Sequence, residues 1–143
     1  MQFEKGPHIR AALICETVIE RKDGVLSLVN IVDRIEFQAR GVDPPTEMPP
    51  YDLNVNLVLM LTADQTRGAH AVKLELEGAN GSKQELGSQD LHMEPGRMQN
   101  LIAKLNLQLD EPGRYWIWVY FNDQPMTKVQ FDLIYLRAQA NAR

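Results

Sequence analysis

The run Tyr115-Trp116-Ile117-Trp118-Val119-Tyr120-Phe121 constrains this chain more than any other segment. In a strand, successive side chains point to opposite faces. One face then carries Tyr115, Ile117, Val119 and Phe121, and the other carries Trp116, Trp118 and Tyr120. A strand packed on one side only alternates apolar with polar residues. This one is apolar on both sides, so its second face is expected to meet something: another part of the chain, a second copy, or a ligand.

The rest of the chain follows the same period of two, broken by turn residues. Strands are expected over Ile9–Val18, Val25–Phe37, Asp52–Thr62, Ala69–Glu77, Lys83–Leu91 and Met98–Leu109, then the aromatic run, then Lys128–Tyr135. Asp23-Gly24 and Asn80-Gly81 are hairpin signals. The connection Gln38–Tyr51 holds Pro44, Pro45, Pro49 and Pro50, too many prolines for a central strand. Glu94-Pro95-Gly96-Arg97 recurs as Glu111-Pro112-Gly113-Arg114, and each copy suits a type II turn that starts a strand. No helix of normal length is expected.

Eight strands at this spacing point to an all-β, two-sheet antiparallel sandwich. A single domain covers residues 1–136, and residues 137–143 form a short, polar, frayed tail. Glu111 to Tyr115 resembles the tyrosine corner of immunoglobulin-like domains. That favours a Greek key, with a jelly-roll variant as the alternative. It also makes the aromatic strand central, between Lys128–Tyr135 and Asp52–Thr62.

Composition narrows the classes. The 143 residues, 44% of them hydrophobic, fit one globular core. No apolar run approaches the roughly 18–20 residues that span a bilayer. The first residues lack a basic stretch followed by an apolar one, and Cys15 is the lone cysteine, inside an apolar run. These features point to the cytoplasm and to an inert, buried thiol. A net charge of −4, with scattered Lys and Arg, argues against nucleic-acid binding.

The segment Ala12-Leu13-Ile14-Cys15-Glu16-Thr17-Val18, followed by Asp23-Gly24-Val25-Leu26-Ser27-Leu28-Val29-Asn30-Ile31-Val32-Asp33-Arg34-Ile35, resembles the opening of a family of small, uncharacterised bacterial β-sandwich proteins. The proline loop, the leucine-rich third strand and the Gly-x-Tyr strand resemble it too. The likeness implies a fold and carries no activity, cofactor or site residue.

The strongest candidate site is the face with Trp116, Trp118 and Tyr120, bordered by Lys128, Gln130 and Asp132 on one side and by Val58 and Met60 on the other. Each buried aromatic contributes about 150–250 Å², and contiguous apolar patches of that kind mark interaction sites. Self-association as a homodimer or docking of a protein partner is the leading expectation. The alternatives are burial under the proline loop and a small-ligand platform, most plausibly for a sugar. The loop itself, with Pro44, Pro45, Pro49, Pro50 and Tyr51, is a second contact surface. His8, His70 and His92 are isolated, and turn carboxylates such as Asp23, Asp64 and Asp123 lack calcium-loop spacing. Neither a metal nor a cofactor is expected. Ser27, Ser82 and Ser88 lack a nucleophile motif, and Glu16 and Asp33 stand out no more than other carboxylates. An enzyme is the third reading.

Overall fold

The computed structural model describes residues 3–139, and these form nine strands and no helix. They are β1 (His8–Glu20), β2 (Leu26–Ile31), β3 (Arg34–Gly41), β4 (Tyr51–Thr62), β5 (Gly68–Glu77), β6 (Lys83–Met93), β7 (Met98–Leu109), β8 (Gly113–Phe121) and β9 (Gln124–Gln139). Strands β2-β1-β4-β7 make an antiparallel sheet. Strands β3-β9-β8-β5-β6 make a second one, which is mixed because β3 runs parallel to β9.

The run Val25–Phe37 is two strands. Asn30 adopts a left-handed φ of 57°, and Ile31, opposite Cys15, is the last β2 residue paired with β1. Val32 then donates its N–H to Ile14 C=O at 2.8 Å, and Asp33 C=O accepts from Asp132 N–H at 3.0 Å. Within two residues the chain leaves one sheet and joins the other. This extra crossing adds a strand and shifts every later one. Asp52–Thr62 (β4) therefore lands in the four-stranded sheet, and the aromatic strand β8 lies between β9 and β5.

Both sheets contribute to one core. Ile14, Leu57, Leu59 and Leu61 come from the first, and Ile117, Val119, Phe131 and Leu133 from the second, all at 0–1% exposure. The inward leucines of β4 alternate as the sequence indicates. Met48, from the proline loop, closes the cluster.

The two Glu-Pro-Gly-Arg segments differ. The first is a turn, with Gly96 at φ 75° and Arg97 N–H bonded to Glu94 C=O at 3.0 Å. The second feeds straight into β8 at Gly113, and the Glu111 carbonyl accepts the Tyr115 hydroxyl. The Tyr115 ring stacks on Phe131 with centroids 5.2 Å apart. Burial pushes the Tyr115 phenol above its ordinary pKa of 10.0. The folded state thus favours the neutral phenol, and its stabilising effect is complete below pH 10 and lost as pH rises through the folded-state pKa. An absorbance titration of the native protein should show a phenolic phase above the ordinary tyrosine range. Tyr115→Phe should remove that phase and cost about 1 kcal/mol. A titration curve that Tyr115→Phe leaves without loss of a late phase would contradict this account.

The C-terminal segment also departs from expectation. Residues 137–139 are the end of β9, with Arg137 paired to Ala39 and its guanidinium donating to Pro44 C=O at 3.0 and 3.3 Å. They continue the strand because β3 gives them a parallel partner. Residues 140–143 lie outside the described part. The turn before β9 is tighter than the sequence indicates. Asn122 and Asp123 both take left-handed φ, 49° and 64°, so a two-residue hairpin suffices.

Candidate interaction surfaces

Trp116, Trp118 and Tyr120 stand on the outer side of the five-stranded sheet, all half-buried. Neighbouring strands place polar partners on each ring. Trp118 Nε1 donates to Glu77 at 2.9 Å, and the Tyr120 hydroxyl donates to Glu75 at 3.0 Å, both carboxylates belonging to β5. Lys128 of β9 lies 4.1 Å from the Trp116 ring centroid and 4.8 Å from that of Trp118. Lys83 of β6 covers Trp118 at 4.7 Å, and Lys73 of β5 covers Tyr120 at 4.8 Å. Trp118 and Tyr120 are stacked at 6.2 Å. Cation–π contacts of this kind stabilise by about 0.5–1 kcal/mol each where exposed, and lysine stems shield apolar ring surface. The rings' partners are thus charged side chains of their own sheet. At its edge, Arg114 pairs with Asp132 at 3.0 Å, which holds that carboxyl below its usual range.

The proline loop is anchored elsewhere. Tyr135 donates to Pro45 C=O at 2.7 Å, Arg137 to Pro44 C=O, and Met48 enters the core. Pro44 is buried, Pro49 half-buried, and Pro45 and Pro50 exposed. Tyr51 packs on Phe37 at 4.8 Å, and Phe37 on Tyr135 at 5.6 Å. The loop is fastened to the β3–β9 side of the molecule, whereas the aromatic ladder draws its partners from β5, β6 and β9.

Val58 and Met60 do not border the aromatic strand. With β4 in the other sheet, Val58 stands between Leu13 and Ile102 on that sheet's outer face, fully buried, and Met60 is half-buried nearby. Cys15 shares this face opposite Asn56, and burial pushes its thiol up.

Sequence reasoning missed one surface. After the Cys15–Asn56 pair, β1 leaves β4, and residues Thr17–Glu20 pair only with β2. The result is a two-stranded ribbon with Ile19 52%, Val25 50%, Val29 39% and Ile31 61% exposed. The signal available in the sequence was the β2 stretch Leu26-Ser27-Leu28-Val29-Asn30-Ile31, which carries no charge.

Where β1 leaves β4, a cleft of about 660 Å³ opens toward the crossing into β3. Two of its carboxylates are engaged: Asn30 donates to Glu16 at 2.9 Å, and Arg34 to Glu36 at 3.0 Å. Asp33 and Asp52 line the same cleft. His8 meets Asp64 at 2.8 Å, and His70 sits between Asn122 and Arg67 C=O, each at 2.7 Å. Among the described residues, no three His, Cys, Asp or Glu side chains converge on a point that could hold a metal, and no helix is long and apolar enough to cross a membrane.

These features define an all-β, two-sheet domain with a charged aromatic ladder on one outer face and an open ribbon on the other sheet. The chain belongs to a family of unknown function, DUF6941, whose model matches residues 10–134. No curated protein matches it. Among solved structures, a β-glucosidase from Listeria innocua in complex with glucose aligns with a TM-score of 0.52 at 7% identity, over 91% of this chain and 16% of that one. A β-glucosidase from Kluyveromyces marxianus in complex with glucose gives 0.48 at 18% identity, over 56% and 12%. The alkylpurine DNA glycosylase AlkC of Pseudomonas fluorescens, bound to DNA containing an abasic site analog, gives 0.45 at 14% identity, over 68% and 27%. The chain thus spans between 12% and 27% of these proteins' lengths. The likeness to the Listeria chain is one of fold.

Proposed function

We propose that the chain is a non-catalytic interaction module on an immunoglobulin-like Greek key, docking a protein partner through the ladder of Trp116, Trp118 and Tyr120. The Tyr115–Glu111 bond at the entry to β8, and strands that change sheet after β2, β3, β4, β6 and β7, support the Greek key. The observation that carries the docking role is the ladder itself. Its rings are half-exposed yet held by Glu75, Glu77 and three lysines, so little side-chain entropy remains to be lost on binding. Aromatic residues inside a polar rim are also the composition of binding hot spots. The ammonium groups occupy ring faces on which a sugar would stack, which favours a protein over a carbohydrate. The single buried thiol of Cys15 suits a reducing compartment, and the reading places the module in the cytoplasm.

The test compares proteins retained by the wild-type chain with those retained by the Trp116→Ser/Trp118→Ser double variant, with circular dichroism to verify the fold. The proposal expects a partner that binds the wild type and is lost with the rings. A variant that unfolds, or a partner set that is unchanged, would overturn it.

A further inference from the structure

We infer that β2 is the seam of a two-fold homodimer, pairing antiparallel with β2 of a second copy about Ser27. The inference is independent of the aromatic ladder, which lies on the other sheet. It starts from the edges of the two sheets. Three of the four edge strands carry charges: Arg34, Glu36 and Arg40 on β3, Lys104 on β7, and Lys83, Glu85 and Asp90 on β6. Charged residues are the usual protection of an edge against pairing with another chain. The fourth edge, β2, has none.

The backbone selects the register. Arg21 N–H bonds Val25 C=O at 3.0 Å. In an antiparallel ladder the bonding residues alternate, so Val25, Ser27 and Val29 direct their backbone groups at β1, and Leu26 and Leu28 direct theirs outward. Two copies satisfy those outward groups with four hydrogen bonds when Leu26 of one faces Leu28 of the other. That register sets Ser27 opposite Ser27 on the two-fold axis, and Val25 opposite Val29 on either side. Across Val25–Val29 every cross-strand pair is then apolar or a pair of hydroxyls, so this stretch matches itself with no like charges opposed.

The side chains agree. Eight large hydrophobic residues are exposed among the described residues, and four of them, Ile19, Val25, Val29 and Ile31, lie on this ribbon. Pairing of Thr17 with Val29 and Ile19 with Ser27 puts Ile19, Ser27 and Val29 on one face, which the second copy would extend into a continuous apolar strip. A two-stranded ribbon alone is marginal in water. The dimer makes it the centre of a sheet in the order β1-β2-β2-β1.

The experiment is solution mass by light scattering over a concentration series, with site-specific cross-linking. The wild type should approach twice the monomer mass. Ser27→Lys opposes two ammonium groups across the axis while altering only an exposed side chain, and should raise the dimer dissociation constant about tenfold or more. Ser27→Cys should form a disulfide-linked dimer on mild oxidation. Val25→Cys and Val29→Cys should cross-link when mixed and not when kept apart. The Trp116→Ser/Trp118→Ser variant should dimerise as the wild type does. A monomer at every concentration, a dimer insensitive to Ser27→Lys, or cysteines that cross-link without regard to register would each overturn the inference.

Discussion

Replacing Phe131 with alanine lowers the free energy of unfolding by about 3–5 kcal/mol. Phe131 heads the largest fully buried side chains, at 0% exposure. It faces Tyr115 across the β8–β9 ladder, and the rings are nearly parallel, with an interplanar angle of 5°. Truncation removes the transfer energy of the ring, leaves a cavity between the sheets, and strips the Tyr115 ring of its support. Collapse around the cavity is limited because Ile117 and Leu133, also buried, are held by their own strands. Urea unfolding should show a lower midpoint with an unchanged slope, since the surface exposed on unfolding hardly changes. A loss below about 1 kcal/mol would mean that the ring is not part of the core.

Gly113→Val is expected to cost a similar amount for a different reason. Gly113 has φ 135°, where side chains are rarely tolerated and a β-branched one least of all. A Cβ there would also lie 2.8 Å from Ala79 Cβ. The backbone contributes about 1–3 kcal/mol and the clash about 1–3 kcal/mol more. Adding Ala79→Gly separates the two, because it relieves the clash and leaves the dihedral strained. The double variant should recover part of the loss, measurable as a coupling energy in a double-mutant cycle. Full recovery would remove the backbone argument, and no recovery would remove the contact.

The strand inventory was largely legible because period-two alternation and Gly-containing turns are local signals. β7 matches its expected limits of Met98 and Leu109, and β4 differs by one residue. The sheet assignment was not legible, for a reason confined to three residues. Asn30, Val32 and Asp33 lie in a run that alternates well enough to read as one strand. Asparagine's tolerance of left-handed φ gives no apolar signature. That one crossing decides where β4 goes, and with it the fate of Val58 and Met60. The same miscount hid the partner of residues 137–139. The aromatic strand was placed correctly at the centre of its sheet with Lys128 beside it, but the other partners of its second face were not seen. Lys73, Glu75, Glu77 and Lys83 become neighbours of the rings only when β5 and β6 are added beside β8. A two-sided aromatic strand therefore does not by itself demand a foreign partner, since charged side chains of adjacent strands can shelter the second face.

The parallel ladder between β3 and β9 has a mechanical consequence. Its register runs without a break from Arg34–Asp132 to Gly41–Gln139. Strands that point the same way, tugged from opposite ends, slide along each other, so the load falls on all rungs together. A hairpin pulled at its open end yields rung by rung. Tension applied backward along β3 and forward along β9 therefore meets a latch that must shear as a unit, which joins the early and late parts of the chain at the point where stretching would first try to separate them.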